Sequence, residues 1–183
     1  MANIVNVIKF IISVLAVRRG DVMTLTKIIS GGQTGADQGA LSAGLILVLE
    51  TGGWAPRGWR TEVGPQKTLL KSYGLRQHRA SSYPPRTRAN IEESDGTLIF
   101  GNPSSPGSTL TAILARKYGK PVFGAVWPFD QDEKNLQRAF QRWIDSNWIR
   151  PLNVAGNRES KNPGIQEATK LFLIKTLGEI DDG

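Results

Sequence analysis

SGGQTGADQGA, residues 30–40, is the stretch that decides the fold. It follows the apolar run Leu25–Ile29 and opens a helical pattern that continues through residues 40–49. A strand, a glycine-rich turn and a helix in this order form the usual phosphate-binding crevice of α/β proteins. Glycine lets the backbone approach a ligand closely, and free N–H groups at the helix start favour an anion. The stretch therefore predicts an anionic, nucleotide-like ligand at this turn.

The glycine spacing of this turn separates it from two common nucleotide motifs. A Walker A loop needs a lysine after its last glycine, and none follows here. A dinucleotide fingerprint reads Gly-x-Gly-x-x-Gly, whereas Gly31–Gly35 reads Gly-Gly-x-x-Gly. The turn therefore does not indicate ATP or NAD.

Composition narrows the chemistry further. The chain has 183 residues, enough for one domain with a substantial core. It contains no cysteine and one histidine, His78, which excludes disulfides, thiolate metal sites, cysteine nucleophiles and histidine-rich metal sites. We therefore assign no catalytic residue and no metal ligand. We expect the protein in the cytoplasm, with which the lack of cysteine is compatible.

The net charge of +7 suggests an anionic partner. The basic residues are scattered, with the densest region between residues 57 and 88. This region is either a solvated basic face or a positive funnel toward a small anionic ligand. No helix-turn-helix, zinc finger or arginine-rich helix is visible, so we do not expect duplex nucleic acid.

The first 23 residues differ from the rest of the chain. The apolar segment Ile4–Val17 is shorter than the roughly 20 residues of a membrane span and is interrupted by Lys9. A second methionine, Met23, precedes the first strand. We interpret residues 1–23 as a leader from an upstream start that lies outside the fold, with a weak membrane anchor as the alternative. Residues 24–183 are then a single Rossmann-like domain.

Apolar, strand-like runs alternate with helical patterns along this domain. The pattern predicts strands near residues 95–101, 121–126 and 149–155, and helices near residues 85–93, 109–118, 132–147 and 163–177. Asn162 is the expected cap of the last helix, with Pro163 in its first position. Residues 54–82 read as a short strand with long loops. Together these features predict an open, mostly parallel α/β sheet with helices on both faces.

Three further turns are candidates for ligand contact. They are residues 101–109, residues 154–164 and the start of the short helix at residues 83–90. Each also has a purely structural interpretation. Residues 101–109 would be a capped helix start, residues 154–164 a solvated loop, and residues 83–90 a charged surface helix. Loops at the carboxyl ends of parallel strands converge, so we expect the turns at residues 107–109 and 156–161 to share one ligand with the first. Arg86 and Asn90 lie on one side of the short helix, from which we expect them to reach the phosphate and ring of that ligand. The candidate ligand-binding residues are Gly31, Gly32, Gln33, Thr34, Gly35, Asp37, Arg86, Thr87, Asn90, Gly107, Ser108, Thr109, Gly156, Arg158, Glu159 and Ser160.

Five separated motifs resemble one family. They are IISGGQTGAD (28–37), PRGWR (56–60), YPPRTRANI (83–91), SDGTLI (94–99) and NVAGNRES (153–160). In this order they resemble the putative molybdenum carrier family, over residues 25–177. That family is similar to circularly permuted members of the Rossmann-like superfamily that includes the cytokinin-activating "lonely guy" enzymes. The resemblance implies a nucleotide-type pocket, homo-oligomers and binding of molybdenum cofactor, a pterin with a phosphate and a metal-holding dithiolene.

One motif departs from the family pattern. The second anion loop usually reads Gly-Gly-Thr, whereas this chain has Gly107, Ser108 and Thr109. In related phosphoribohydrolases a glutamate follows in the next helix, but Thr111 and Ala112 stand here. The carboxylate for glycosidic cleavage is therefore missing from its expected place.

Three functions follow as hypotheses. The first is a non-enzymatic carrier of molybdenum cofactor or a related phosphorylated pterin or nucleotide, with molybdoenzymes as recipients. The second is a phosphoribohydrolase-like enzyme that would use Asp37, Asp95 or Glu159 as its carboxylate. The third is a nucleotide sensor that signals to a partner protein.

Overall fold

The structure is a computed structural model that describes residues 25–129 and 132–178. Within these ranges the chain forms eight strands and six helices. The strands are β1 (Lys27–Ser30), β2 (Glu50–Ala55), β3 (Arg60–Thr61), β4 (Gly64–Pro65), β5 (Leu75–Gln77), β6 (Gly96–Phe100), β7 (Val122–Ala125) and β8 (Pro151–Gly156). The helices are α1 (Ala36–Ile46), α2 (Lys67–Ser72), α3 (Tyr83–Glu92), α4 (Pro106–Lys117), α5 (Glu133–Ser146) and α6 (Ile165–Gly178). The predicted leader, residues 1–23, lies outside the described residues.

In the described part of the chain, six strands form one open sheet with the order β5-β2-β1-β8-β6-β7. Every neighbouring pair in it is parallel. The short strands β3 and β4 pair antiparallel with each other, as a hairpin outside this sheet. The predicted Rossmann-like α/β fold with an open sheet is therefore confirmed.

The helices cover both faces of the sheet. On one face α1 packs along α6, and α6 packs against α5. On the other face α3 packs against α4. None of the helices in residues 25–129 and 132–178 combines the length and the apolar character that a membrane crossing requires.

The core divides into a large and a small cluster. The large cluster joins β1, β6 and β8 to α1, α5 and α6, and its centre contains the fully buried rings of Phe100, Phe140 and Phe172. Phe172 lies 5.4 Å from Phe100 and 5.7 Å from Phe140 between ring centroids. The small cluster packs Leu70 and Trp59 beneath the β3–β4 hairpin region. Burial of such side chains contributes about 1.5–3 kcal/mol each before entropy is counted, so these clusters fix the sheet on which the loops stand.

The boundary between α1 and β2 differs from the sequence pattern. The apolar periodicity through residue 49 predicts a helix, but α1 ends at Ile46 and Val48 has a φ of 58°. Glu50 already belongs to β2, which contains two adjacent glycines, Gly52 and Gly53. Glycine is depleted in strands, so the local sequence does not reveal β2. Its parallel pairing with β1 and β5 imposes the strand.

The start of α6 also differs from the prediction. The helix begins at Ile165 rather than at Pro163. The Nδ2 group of Asn162 donates to Asn157 Oδ1 at 3.3 Å, and the side chain that accepts from N–H groups at the helix start is that of Glu159. The carboxylate of Glu159 accepts from Gly164 N at 2.5 Å and from Gln166 N at 3.0 Å. A carboxylate is favoured at a helix start because it complements the helix dipole, and the longer Glu159 side chain takes that place.

Candidate ligand-binding cleft

The carboxyl ends of the central strands place three of the four predicted turns beside one another. β8 lies between β1 and β6, so the loops that follow these strands are neighbours. The N–H group of Ala36 donates to Asn157 O at 3.1 Å, which joins the β1 and β8 loops. The N–H group of Asn102 donates to Asn157 Oδ1 at 2.5 Å, which joins the β6 and β8 loops. This edge is where open α/β sheets bind ligands.

Gly31–Gly35 forms a tight turn whose N–H groups bond within the protein. Four consecutive N–H groups, those of residues 33–36, have acceptors within the protein. Gln33 N donates to Asp37 Oδ2 at 3.2 Å, and Thr34 N donates to Gln33 Oε1 at 3.1 Å. Gly35 N donates to Gln166 Oε1 at 3.1 Å, and Ala36 N donates to Asn157 O at 3.1 Å. The sequence-based expectation of free N–H groups at this helix start therefore does not hold for these four. Side chains satisfy three of them: Gln33 and Asp37 are close in sequence, and Gln166 comes from α6.

Gly35 is required where this turn meets the β8 loop. Its φ is 88°, a conformation that side chains rarely adopt. A Cβ atom at this position would lie 2.4 Å from Asn157 O. The glycine thus allows the β1 and β8 loops to come into direct contact.

A buried ion pair ties α3 to the turn. Arg86 Nη1 lies 3.8 Å from Asp37 Oδ2 and donates to Gly31 O at 2.6 Å. The two charged residues are only 9% and 6% exposed. Burial raises the pKa of Asp37, and the Arg86 charge offsets this in part. Burial likewise lowers the pKa of Arg86, against the opposing effect of Asp37. The pair fixes the position of Gly31 rather than presenting a free guanidinium.

Two buried donors beside the same turn have no hydrogen-bond partner among the described residues. They are Arg86 Nε and Gln33 Nε2. A buried donor without an acceptor costs about 1–3 kcal/mol, so such groups normally meet water or a ligand oxygen. Both therefore suit an oxygen-rich ligand at the turn.

Glu62, at the tip of the β3–β4 hairpin, joins the β1 and β8 loops. Its carboxylate accepts hydrogen bonds from the hydroxyls of Thr34 and Ser160. It also accepts from Ser160 N at 3.1 Å, while Glu62 N donates to Gln33 Oε1 at 2.8 Å. Burial alone would raise the pKa of this carboxyl, but the bonds from Ser160 and Thr34 and the charge of Arg158 lower it below its ordinary value.

A cleft of about 420 Å³ lies beside this carboxylate. It is lined by Thr34, Glu62, Val63, Glu159, Ser160 and Gln166. Arg158 lies near it, with its guanidinium carbon 5.4 Å from the centroid of the Tyr83 ring. Arg86 approaches the same ring at 5.2 Å. The start of α3 thus stands next to the β8 loop, as the sequence predicted for these turns.

Two of the three predicted residues on α3, Arg86 and Asn90, are buried. Asn90 is 3% exposed, and its Oδ1 atom accepts from Trp54 N at 2.8 Å. Its amide oxygen therefore holds β2, a contact that the sequence pattern did not suggest. The Thr87 hydroxyl donates to Tyr83 O at 3.1 Å, along its own helix.

In the second predicted anion loop, after β6, the serine and threonine donors bond within the loop. Ser108 N donates to Ser105 Oγ at 3.2 Å, and Ser105 Oγ donates to Ser108 Oγ at 2.8 Å. The Thr109 hydroxyl donates to Pro103 O at 3.4 Å. Gly107 and Thr109 are exposed. Gly156 is the last residue of β8. A Cβ atom at this position would lie only 2.1 Å from Phe100 O, so the glycine allows β8 to pack closely against β6.

The remaining titratable candidates lie elsewhere or are already bonded. Asp95 Oδ2 accepts from Arg150 N at 3.0 Å at the amino ends of β6 and β8, the edge opposite the cleft. His78 Nδ1 accepts from Ala80 N at 2.9 Å. In residues 25–129 and 132–178, no cluster of three or more His, Cys, Asp or Glu side chains is placed to hold a metal ion.

Sequence reasoning missed Glu62, Val63 and Gln166. Glu62 lies in the stretch between two polar loops, and its partner Ser160 is 98 positions away. The only local signal is the Gly64-Pro65 pair, which is typical of a turn.

The open parallel sheet defines a Rossmann-like α/β protein, and the cleft at its carboxyl edge is the candidate site for a small ligand. Residues 28–177 match the family model described as the circularly permutated YpsA SLOG family. The chain belongs to this family, and the resemblance inferred from the five motifs is confirmed.

A solved structure supports the same assignment. The crystal structure of a putative molybdenum carrier protein from Syntrophus aciditrophicus SB is 36% identical in sequence, with a TM-score of 0.76. The match covers 84% of this chain and 95% of the other. A search of curated proteins finds no match.

Proposed function

We propose that this protein binds molybdenum cofactor, or a related phosphorylated pterin or nucleotide, and carries it without chemical change. The observation that carries the proposal is the convergence of three donors on one carboxylate. Thr34 Oγ1, Ser160 Oγ and Ser160 N all point at the Glu62 side chain. Carboxylates and phosphates accept the same hydrogen bonds. The donor set therefore suits a phosphate oxygen.

The surroundings of this donor set fit a ligand larger than phosphate alone. The cleft volume of about 420 Å³ lies within the range of roughly 300–1,000 Å³ that is typical of small-ligand pockets. Arg158 adds a cation beside Tyr83.

Family membership directs the choice of ligand. The Syntrophus protein carries the description of a molybdenum carrier, and the two chains align over most of their length. When bound, molybdenum cofactor would bring its own dithiolene to hold the metal, and the protein residues would bind the phosphate and the pterin. The candidate residues predicted from sequence stay proposals in these roles, and molybdoenzymes are the proposed recipients.

Two of the three carboxylates near the cleft, Glu159 and Asp37, are held in structural contacts, which favours binding over cleavage. Glu159 bonds two N–H groups at the start of α6. Asp37 is buried against Arg86. A general acid or base must reach the proton that it transfers, and these two side chains are held in structural contacts.

Retention of cofactor tests the proposal. The full chain is incubated anaerobically with molybdenum cofactor and desalted, and protein-bound molybdenum and the pterin fluorescence after oxidation are measured. We expect retention in the wild type and a marked loss in the Thr34→Val/Ser160→Ala variant. Retention no higher than that of serum albumin would contradict the proposal.

An assay of base release from AMP tests the enzymatic alternative. We expect no release above the rate without protein. Release that Glu159→Gln abolishes would overturn the non-enzymatic part of the proposal.

A further inference from the structure

Glu62 reaches the cleft from a small, separate element. The strands β3 and β4 pair only with each other in the described structure. The turn between them is bonded internally, since the Thr61 hydroxyl donates to Gly64 O at 2.7 Å and accepts from Val63 N at 3.3 Å. Val63, at the tip, is 68% exposed. The tip is thus a self-supporting turn that projects one carboxylate toward two loops of the main fold.

The base of the hairpin is anchored, whereas the tip is attached through Glu62. Trp59, just before β3, is 8% exposed in the small core cluster. Gln66, just after β4, accepts from Gln38 Nε2 at 2.7 Å. The tip itself contacts the β1 and β8 loops through the Glu62 side chain and Glu62 N. Breaking a few hydrogen bonds of one residue would therefore free the tip without disturbing the core.

The Glu62 carboxylate takes up the donors that a phosphate would need. Ser160 offers a hydroxyl and an N–H group, Thr34 offers a hydroxyl, and all three are bonded to Glu62. A phosphate on the same donors would stand against a like charge at contact distance, which is strongly unfavourable.

We propose that Glu62 is a built-in competitor that mimics the phosphate of the ligand and must leave the donors of Thr34 and Ser160 before an oxyanion binds. This inference rests on the proposed function of the cleft and adds its regulation. The ligand group that enters is a phosphate or similar oxyanion that can replace a carboxylate. The hairpin tip then moves outward, and its opening controls both loading and release.

The ionisation of Glu62 agrees with this role. The hydrogen bonds from Ser160 and Thr34 outweigh burial and lower the pKa of its carboxyl. Glu62 is therefore fully charged at neutral pH, where it competes most strongly with an anion. The other nearby carboxylate, Glu159, uses both oxygens on N–H groups of the α6 start and does not contact these donors.

Calorimetric titration with inorganic phosphate at pH 7.5 tests the inference on the full chain. If Glu62 leaves the donors of Thr34 and Ser160 free in about one molecule in ten, removing the Glu62 carboxylate strengthens apparent phosphate binding about tenfold. We therefore expect Glu62→Ala to lower the Kd for phosphate about tenfold, with a smaller decrease for Glu62→Gln. Both substitutions lie at a partly exposed turn, and thermal unfolding confirms that each variant is folded.

Two controls separate competition from a general charge effect. Glu167→Gln removes a charge next to the cleft residue Gln166, where Glu167 pairs with Lys170, and should change the Kd less than twofold. In a Thr34→Val/Ser160→Ala background, Glu62→Ala should produce a much smaller gain, since the two hydroxyl donors are gone and Ser160 N is the remaining one of the three. A charge effect would persist in that background and fade with added salt.

The outcomes distinguish this inference from the proposed function. The inference that Glu62 competes with phosphate is supported if Glu62→Ala binds phosphate more tightly and if this gain depends on Thr34 and Ser160. Equal or weaker binding by Glu62→Ala, with phosphate still bound by the wild type, overturns the competitor and leaves the binding site intact. Absence of phosphate binding in the wild type and in both Glu62 variants overturns the proposed site and the competitor together.

Discussion

The loops after β8 and after β6 resemble each other in sequence but differ in their bonding. Each joins a buried parallel strand to a helix and carries serine hydroxyls. In the β8 loop, Ser160 donates to Glu62, 98 positions away. In the β6 loop, Ser108 bonds Ser105, three positions away. The first loop places its donors on a charged group from another part of the fold, whereas the second caps its own helix.

This difference shows when a hydroxyl near a helix start indicates a binding site. A serine bonded to a local partner satisfies the helix and needs no ligand. A serine bonded to a carboxylate from a separate hairpin sits where an anion is stable. Sequence spacing cannot separate the two cases, because both contain the same residue types.

The largest expected effect concerns the buried ion pair beside the first loop. Arg86→Met leaves Asp37 buried without its partner, and breaking such a pair costs about 3–5 kcal/mol. Urea denaturation measures the change in the free energy of unfolding. Arg88→Met, which removes an exposed ion pair with Glu92, is the control and should change that free energy by less than about 1 kcal/mol. Equal effects of the two variants would contradict the structural role of Arg86.

Two glycines give the next contrast. Gly35→Ala should destabilise the protein by about 2–4 kcal/mol, because of its φ of 88° and the contact of 2.4 Å with Asn157 O. Gly107→Ala should be neutral or stabilising by up to about 1 kcal/mol, because its Cβ would meet no atom within 4 Å. Thermal unfolding of both variants measures the difference. A destabilised Gly107→Ala would show that the β6 loop is as constrained as the β1 turn.

Binding of phosphate compares the two loops directly. In the Glu62→Ala background, where no competing carboxylate occupies the Ser160 hydroxyl, Ser160→Ala should weaken binding about tenfold, since a hydrogen bond to a charged group is worth about 1.5–3 kcal/mol. Ser108→Ala should leave the Kd within about twofold. Calorimetric titration with inorganic phosphate measures the Kd of both variants. The reverse order would assign the anion site to the β6 loop.

The smallest effect is a pH dependence of stability. The pKa of Glu62 is lowered, so its ionised form stabilises the fold. This contribution is complete above the ordinary glutamate value of 4.5 and disappears as the pH falls through the lowered pKa. The difference in Tm between the wild type and Glu62→Gln should therefore be constant near neutral pH and shrink toward pH 3. A difference that does not change over this range would contradict the role of the Glu62 hydrogen bonds.

Local sequence predicted most of the sheet and its helices. The runs that became β6, β7 and β8 are apolar and bounded by turn residues, so these strands can be read from the sequence. The expected burial holds for β6 and the centre of β8, whereas in β7, at the edge of the sheet, Ala125 alone is buried. β2 could not be read this way, because Gly52 and Gly53 carry no strand signal and pairing with two neighbours creates the strand. The family could be inferred because its five motifs are themselves stretches of sequence.

The site was less predictable than the fold. The turn at residues 31–35 and Ser160 were selected because glycines and hydroxyls at strand ends suit anions. The pairing of Arg86 with Asp37, the use of Asn90 on β2 and the position of Glu62 depend on contacts across 28 to 98 positions or on packing between elements. No pattern within one segment contains that information.

A crystal structure of the full chain determined with inorganic phosphate tests the central claim most directly. The account predicts a phosphate within hydrogen-bond distance of Thr34 Oγ1 and Ser160 N, with the Glu62 carboxylate turned away from both. A phosphate bound instead at residues 107–109, with Glu62 still on Thr34 and Ser160, would contradict it.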